Sequence, residues 1–190
     1  EQDDGSVWAG TDGKGIDIIS PDYRRIRNFP RDFDIANTVP FASVYRIIED
    51  SDKRIYLGTS GFGVIMVELD KTKTSTPIGC EQLVLDKSIS TPGQQKQIVY
   101  SLAEEKPGVI WIGTRGLGIY RYNTITKRVI AQYTTSTHPK LIPNDDILSL
   151  SANNLGRIWV GTSNGLFNVV PVSSDSVYIE ALQMQSELSN

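Results

Sequence analysis

Apolar residues fall along this chain in short runs separated by polar, glycine-rich gaps, and no stretch keeps the i, i+3, i+4 spacing of a helix face. Strands joined by tight turns are therefore expected throughout. One run recurs. Val7-Trp8-Ala9-Gly10-Thr11, Ile55-Tyr56-Leu57-Gly58-Thr59, Ile110-Trp111-Ile112-Gly113-Thr114 and Ile158-Trp159-Val160-Gly161-Thr162 share the order apolar, aromatic, apolar, Gly, Thr. The Gly-Thr pairs begin at 10, 58, 113 and 161, so the spacings are 48, 55 and 48 residues.

A second similarity precedes the first. Twelve residues before the last three aromatics stand Val44-Tyr45-Arg46-Ile47-Ile48, Val99-Tyr100-Ser101-Leu102-Ala103 and Ile147-Leu148-Ser149-Leu150-Ser151. Polar turns, residues 49–54, 104–109 and 153–157, join each to its aromatic strand as a hairpin. After Gly-Thr comes another turn, at 12–15, 60–63, 115–118 and 163–165, where glycine supplies the positive φ that tight turns need. Third strands are expected at 16–19, 64–69, 119–122 and 166–170, and outer strands at 25–29, 82–85 and 129–133. A period near 50 with four strands per unit is that of propeller blades, whose strands are buried on both faces by neighbouring blades. The expected class is all-β: a β-propeller fragment of about four blades, each a four-stranded antiparallel sheet, the first and last incomplete. The units fall at about 1–40, 41–95, 96–143 and 144–190. Trp8, Tyr56, Trp111 and Trp159 then fill the spaces between blades, and the Thr hydroxyls satisfy neighbouring polar groups.

The motif with its glycine turn and following strand, as in IWIGTRGLGIYRYNTIT at 110–126, resembles the two-component regulator propeller repeat, and the resemblance runs from Gly5 to about Val170. Ala9 and Tyr56 depart from the usual aliphatic and Trp. The resemblance implies the periplasmic, ligand-sensing part of a Bacteroidetes-type hybrid two-component sensor, with a glycan or other small molecule as ligand. It supplies no kinase or receiver segment, so this chain is expected to be non-catalytic in itself. Residues 1–29 supply three strands without an inner one, and 177–182 fit either the outer strand of the last blade or the missing inner strand of the first. The open arrangement is preferred, because VYIEAL matches the inner-strand copies poorly. Open blade faces then favour self-association. The start at Glu1 suggests a processed protein or an excised piece.

Composition narrows the partners. A net charge of −3 and a pI near 5.2 offer no field for nucleic acid, and no apolar run approaches the roughly 20 residues of a spanning helix, so no membrane insertion is expected. The single cysteine, Cys80, excludes an internal disulfide and reads as an inert thiol.

Strand direction puts the second-to-third turns on the same end as the links into the next blade. Long loops on a rigid scaffold are where recognition usually sits. The candidate ligand-binding residues are Lys14, Phe62, Arg115 and Asn164 in the turns and Arg31 and His138 in the links, accompanied by Phe33, Phe41 and Lys140. Rings beside hydrogen-bonding cations suit a sugar or a peptide. No catalytic residue, metal ligand or cofactor is assigned: His138 is the only histidine, and the pairs Asp3-Asp4 and Asp145-Asp146 sit at turns, where Asp caps the backbone. A protein-interaction scaffold and a propeller lyase or glycosidase are the alternative readings.

Overall fold

The computed structural model describes residues 2–33, 43–70, 73–86, 97–153, 155–173 and 176–181. Its strands are β1 (Val7–Gly10), β2 (Ile16–Ile19), β3 (Ile26–Phe29), β4 (Val44–Glu49), β5 (Ile55–Thr59), β6 (Val64–Asp70), β7 (Lys73–Gln82), β8 (Val99–Lys106), β9 (Val109–Thr114), β10 (Ile119–Asn123), β11 (Arg128–Tyr133), β12 (Ile147–Ala152), β13 (Ile158–Thr162), β14 (Gly165–Pro171) and β15 (Val177–Ala181). They form four antiparallel meanders: β1-β2-β3, β4 to β7, β8 to β11 and β12 to β15. This is a propeller arc of one three-stranded and three four-stranded blades. The inner strands β4, β8 and β12 lie side by side.

The recurrent motif builds the seams between blades. Successive side chains of a strand point to opposite faces. On β5, Ile55 and Leu57 enter the core shared with the first blade, while Tyr56 enters the core shared with the third. On β9, Ile110 and Ile112 face the second blade and Trp111 faces the fourth. Trp8 packs into the first seam. The aromatic thus always faces the following blade and its neighbours the preceding one. The glycine two residues on shares the aromatic's face, and there the first residue of the next inner strand comes down. A Cβ on Gly58 would lie 2.9 Å from Val99 Cγ1, and one on Gly113 would lie 2.6 Å from Ile147 Cγ2. Only a bare backbone admits so close an approach.

Three expectations are corrected. The outer strand of the second blade is β7, Lys73–Gln82, and not 82–85. Pro77 and Gly79 disguise it as a loop, and the ladder accommodates them by register shifts around Leu69. Leu83 and Leu85, read as strand, instead plug the seam to the third blade. The last blade, expected to be incomplete, has all four strands, because β15 pairs with β14 as its outer strand; it does not return to the first blade, which agrees with the open arrangement preferred from the sequence. Finally, Tyr56, Trp111 and the half-buried Trp8 pack into seams, but the half-buried Trp159 does not fill one. Trp159 faces the side of the fourth blade that none of the described blades covers.

Candidate functional site

At one end of the arc the second-to-third turns are fixed by the motif threonines. Thr11, Thr59, Thr114 and Thr162 each donate Oγ1–H to a glycine carbonyl across the turn, Gly15 (2.9 Å), Gly63 (2.9 Å), Gly118 (2.6 Å) and Gly165 (2.9 Å). Three also accept a turn N–H, from Lys14, Phe62 and Asn164, each at 3.1 Å. The turn then grips the next blade. Gly61 and Gly63 donate their N–H groups to the Gln97 carbonyl (3.2 and 2.8 Å), and Gly116 and Gly118 donate to that of Asp145 (3.2 and 3.0 Å). Positive φ at all four glycines aims both amides at one oxygen. Scaffold and loop end are therefore one hydrogen-bonded unit.

The six sequence candidates occupy this end in unlike states. Lys14, Arg115 and Asn164 stand exposed on equivalent turns. Phe62 is half-buried against the first seam, and its carbonyl accepts from Gln82 Nε2 at 2.8 Å. Arg31 is committed to Asp32 through Nε (2.9 Å) and Nη2 (3.1 Å). That guanidinium, with the Asn28 N–H, lowers the Asp32 carboxyl to about 2. His138 packs on the Tyr133 ring at 5.4 Å, bonds Thr137 Oγ1 through Nδ1 at 2.9 Å, and caps a turn by accepting from Leu141 and Ile142. Phe41 lies outside the described residues.

Sequence reasoning missed a feature of the inner edge. In all three inner strands the register slips by one residue at the second position, between Val44 and Arg46, Val99 and Ser101, and Ile147 and Ser149. Tyr45, Tyr100 and Leu148 are therefore bulge residues, with no counterpart on the neighbouring strand. The bulge lets Val44 and Ile47 both face the first seam and turns the extra side chain out of it. Tyr45 is 49% exposed and Leu148 50%, and the Tyr45 and Tyr100 rings meet across the seam at 5.3 Å, tilted by 47°. The signal was present: the same position carries a large side chain in every copy, where simple alternation offered it no core.

A second pattern was also legible but unread. Six residues before the aromatics stand Gln2, Asp50, Glu105 and Asn153. Asp50 accepts from Tyr56 Oη (3.1 Å) and Arg54 Nε (2.9 Å), and Glu105 accepts from Trp111 Nε1 (2.8 Å). An acid at the first-to-second turn thus satisfies the polar tip of the buried ring. Burial and the Asp50 charge push the Tyr56 phenol well above its ordinary value.

At this opposite end lies a cleft of about 680 Å³, lined among others by Asp3, Glu49, Lys53, Glu68, Glu81 and Lys127. Its lysines are spoken for: Lys53 by Glu49 (2.8 Å) and Asp3 (2.9 Å), Lys127 by Glu81 (2.7 Å). Six carboxylates face three cations in the lining, and each cation is paired, so the cleft offers an incoming anion little that is free.

Comparison with known proteins bears on this geometry. Residues 38–61 match the family described as two component regulator propeller. Over 93 residues the chain is 34% identical to histidine kinase P4 of Formosa agariphila, a stretch covering 47% of this chain and 7% of that protein. Two solved extracellular domains assigned to hybrid two component systems of B. thetaiotaomicron superpose on it. One shows 23% identity, a TM-score of 0.68 and coverage of 98% of this chain; the other shows 17%, 0.67 and 94%. The chain spans 22% of each of those domains. At such identities the superpositions establish the propeller fold. The described residues form a run of four propeller blades, and the match to the two-component regulator propeller family falls at the second of them.

Proposed function

We propose that this chain belongs to the extracytoplasmic, periplasm-facing sensor portion of a hybrid two-component regulator, where it recognises a glycan and performs no chemistry of its own. The observation that carries the reading is the 34% identity over 93 residues with a histidine kinase, beside the family match at residues 38–61. The architecture supports it. The motif residues are consumed in seams and turn clasps, which leaves recognition to exposed groups on a rigid frame. A thermal-shift screen over neutral and acidic oligosaccharides tests the reading, because a ligand that binds only the folded chain raises its melting temperature. A concentration-dependent rise with one saccharide class is expected. A flat response across the panel would sink the glycan assignment.

The open faces favour a second property, self-association. The outward face of the fourth blade presents Trp159, Leu166 and Tyr178, and that of the first presents Val7, Ile19 and Ile26; Tyr178 is 60% and Ile26 65% exposed. A head-to-tail contact between copies would cover both. Light scattering should show mass rising with concentration, and a constant monomer mass would exclude it.

A further inference from the structure

We propose that the inner-edge tyrosines Tyr45 and Tyr100, flanked by Arg46 and Arg115, form a binding platform for an acidic oligosaccharide, one that carries uronate carboxylates. This rests on the glycan reading above and adds a place and a chemical class to it.

Three observations converge. First, the placement of these rings outside the seam is built into the fold, with Tyr45 exposed and Tyr100 half-buried. A bulge recurs at Tyr45, Tyr100 and Leu148, and each time it removes a large side chain from the seam. Held on ladder strands, the rings cost little further order when a ligand arrives. Second, the rings are amphipathic and unspent. They pack on each other at 5.3 Å, and neither hydroxyl engages any group among the described residues. A tyrosine offers a π face to the C–H face of a sugar ring and a hydroxyl to its rim. An apolar protein partner would have no use for the second.

Third, the nearby positive charge is uncompensated. Arg46 follows Tyr45 and stands opposite Gly58, its Cβ 3.5 Å from where a Gly58 side chain would begin, so it shares the face turned toward Tyr100. Its side chain is exposed. Arg115 opens the turn of the third blade, and its N–H donates to the Ile98 carbonyl at 2.9 Å, two residues before Tyr100. Neither guanidinium has a carboxylate partner among the described residues, in contrast to Arg31, Arg54 and Arg121, each paired with an acid. A guanidinium free in the unliganded chain is available as a two-pronged donor to a carboxylate. The acid-lined cleft at the other end, whose lysines are already paired, lacks this combination.

The test is isothermal titration of the 190-residue chain with trigalacturonate, and with maltotriose as the neutral counterpart. Tyr45→Ala, Tyr45→Phe, Arg46→Gln and the control Leu155→Ala, at an exposed turn of the opposite end, are compared with the parent, and circular dichroism verifies folding. The platform predicts that trigalacturonate binds and maltotriose does not. It also predicts that Tyr45→Ala and Arg46→Gln each weaken binding by about tenfold, while Leu155→Ala does not and Tyr45→Phe retains most of the affinity. Trigalacturonate binding unchanged in Tyr45→Ala would remove the site but leave the glycan reading standing. Equal binding of both saccharides, insensitive to Arg46→Gln, would overturn the acidic class. If neither binds and a wider panel leaves the melting temperature flat, the glycan reading itself fails.

Discussion

Arg121 and Glu105 form a two-pronged ion pair inside the seam between the third and fourth blades, Nε to Oε2 at 2.8 Å and Nη2 to Oε1 at 2.7 Å, with the guanidinium side chain fully buried and the carboxylate 3% exposed. Arg121 reaches across the seam to the Ser173 carbonyl at 3.2 Å, and Glu105 also receives the Trp111 N–H. Removing one partner strands the other charge. Arg121→Met should therefore cost about 3–5 kcal/mol, while adding Glu105→Gln, which keeps an acceptor for Trp111, should recover roughly half of the loss. Urea denaturation of the two single variants and the double variant measures this; additive costs would show the pair to be uncoupled.

The seam glycines give a paired test. At Gly113 a new Cβ meets Ile147 Cγ2 at 2.6 Å and Ser101 Oγ at 2.3 Å, both in packed surroundings. At Gly161 it meets only Ser149, an exposed side chain of the same blade. Gly113→Ala should lower stability by about 1–3 kcal/mol and Gly161→Ala by less than about 1 kcal/mol. Equal costs would mean that the close approach of the next blade is not what reserves the position for glycine.

The threonine clasp can be tested without changing shape. Thr59→Val keeps the branched side chain but leaves the Phe62 N–H and Gly63 carbonyl short of a buried partner, at a cost of about 1–3 kcal/mol. Thr162→Val, whose bond is exposed to water, should cost well under half as much. Thermal denaturation of both variants compares them directly.

High pH should open the seams. Burial raises the phenols of Tyr56, Tyr120, Tyr122 and Tyr133, and for Tyr122, where Glu81 adds to it, up to about 12. An unfolded tyrosine ionises near 10. A folded value above the unfolded one means that the stabilisation is complete below pH 10 and is lost as pH rises toward 12. Absorbance at 295 nm should show the phenolate signal of these four rings appearing only together with loss of the β-sheet circular dichroism signal. A single titration near 10 with the sheet signal intact would contradict the burial of these rings.

Much of the fold is legible in the sequence because its units repeat. The phase of the aromatic, its two apolar neighbours and the Gly-Thr pair locates three of four strands per blade, and each is buried for a reason that the residue type declares. The outer strand β7 is hidden because Pro77 and Gly79 are tolerated where a strand has one free edge and bulges absorb the mismatch. Arg121 is hidden for another reason. It occupies the place of Met66 and Asn168 in the neighbouring blades, and a lone charge in a strand reads as solvent-facing until a seam partner such as Glu105 is known. The turn candidates share one end of the arc, yet sequence does not show that Arg31 is already paired or that Phe62 leans into the core. Tyr45 and Tyr100 escape notice because a one-residue slip leaves alternation intact on either side of it.

The glycine beneath each incoming inner strand has a further consequence. Val44 on Gly10, Val99 on Gly58 and Ile147 on Gly113 are interchangeable fittings: a branched aliphatic residue set on a bare backbone. Any unit that carries one fitting at its entrance and the other at its exit can be copied, inserted or deleted without redesigning its neighbours. The blade is thus a cassette of inheritance. Propellers built from it can lengthen by tandem duplication while each copy's turns diverge freely.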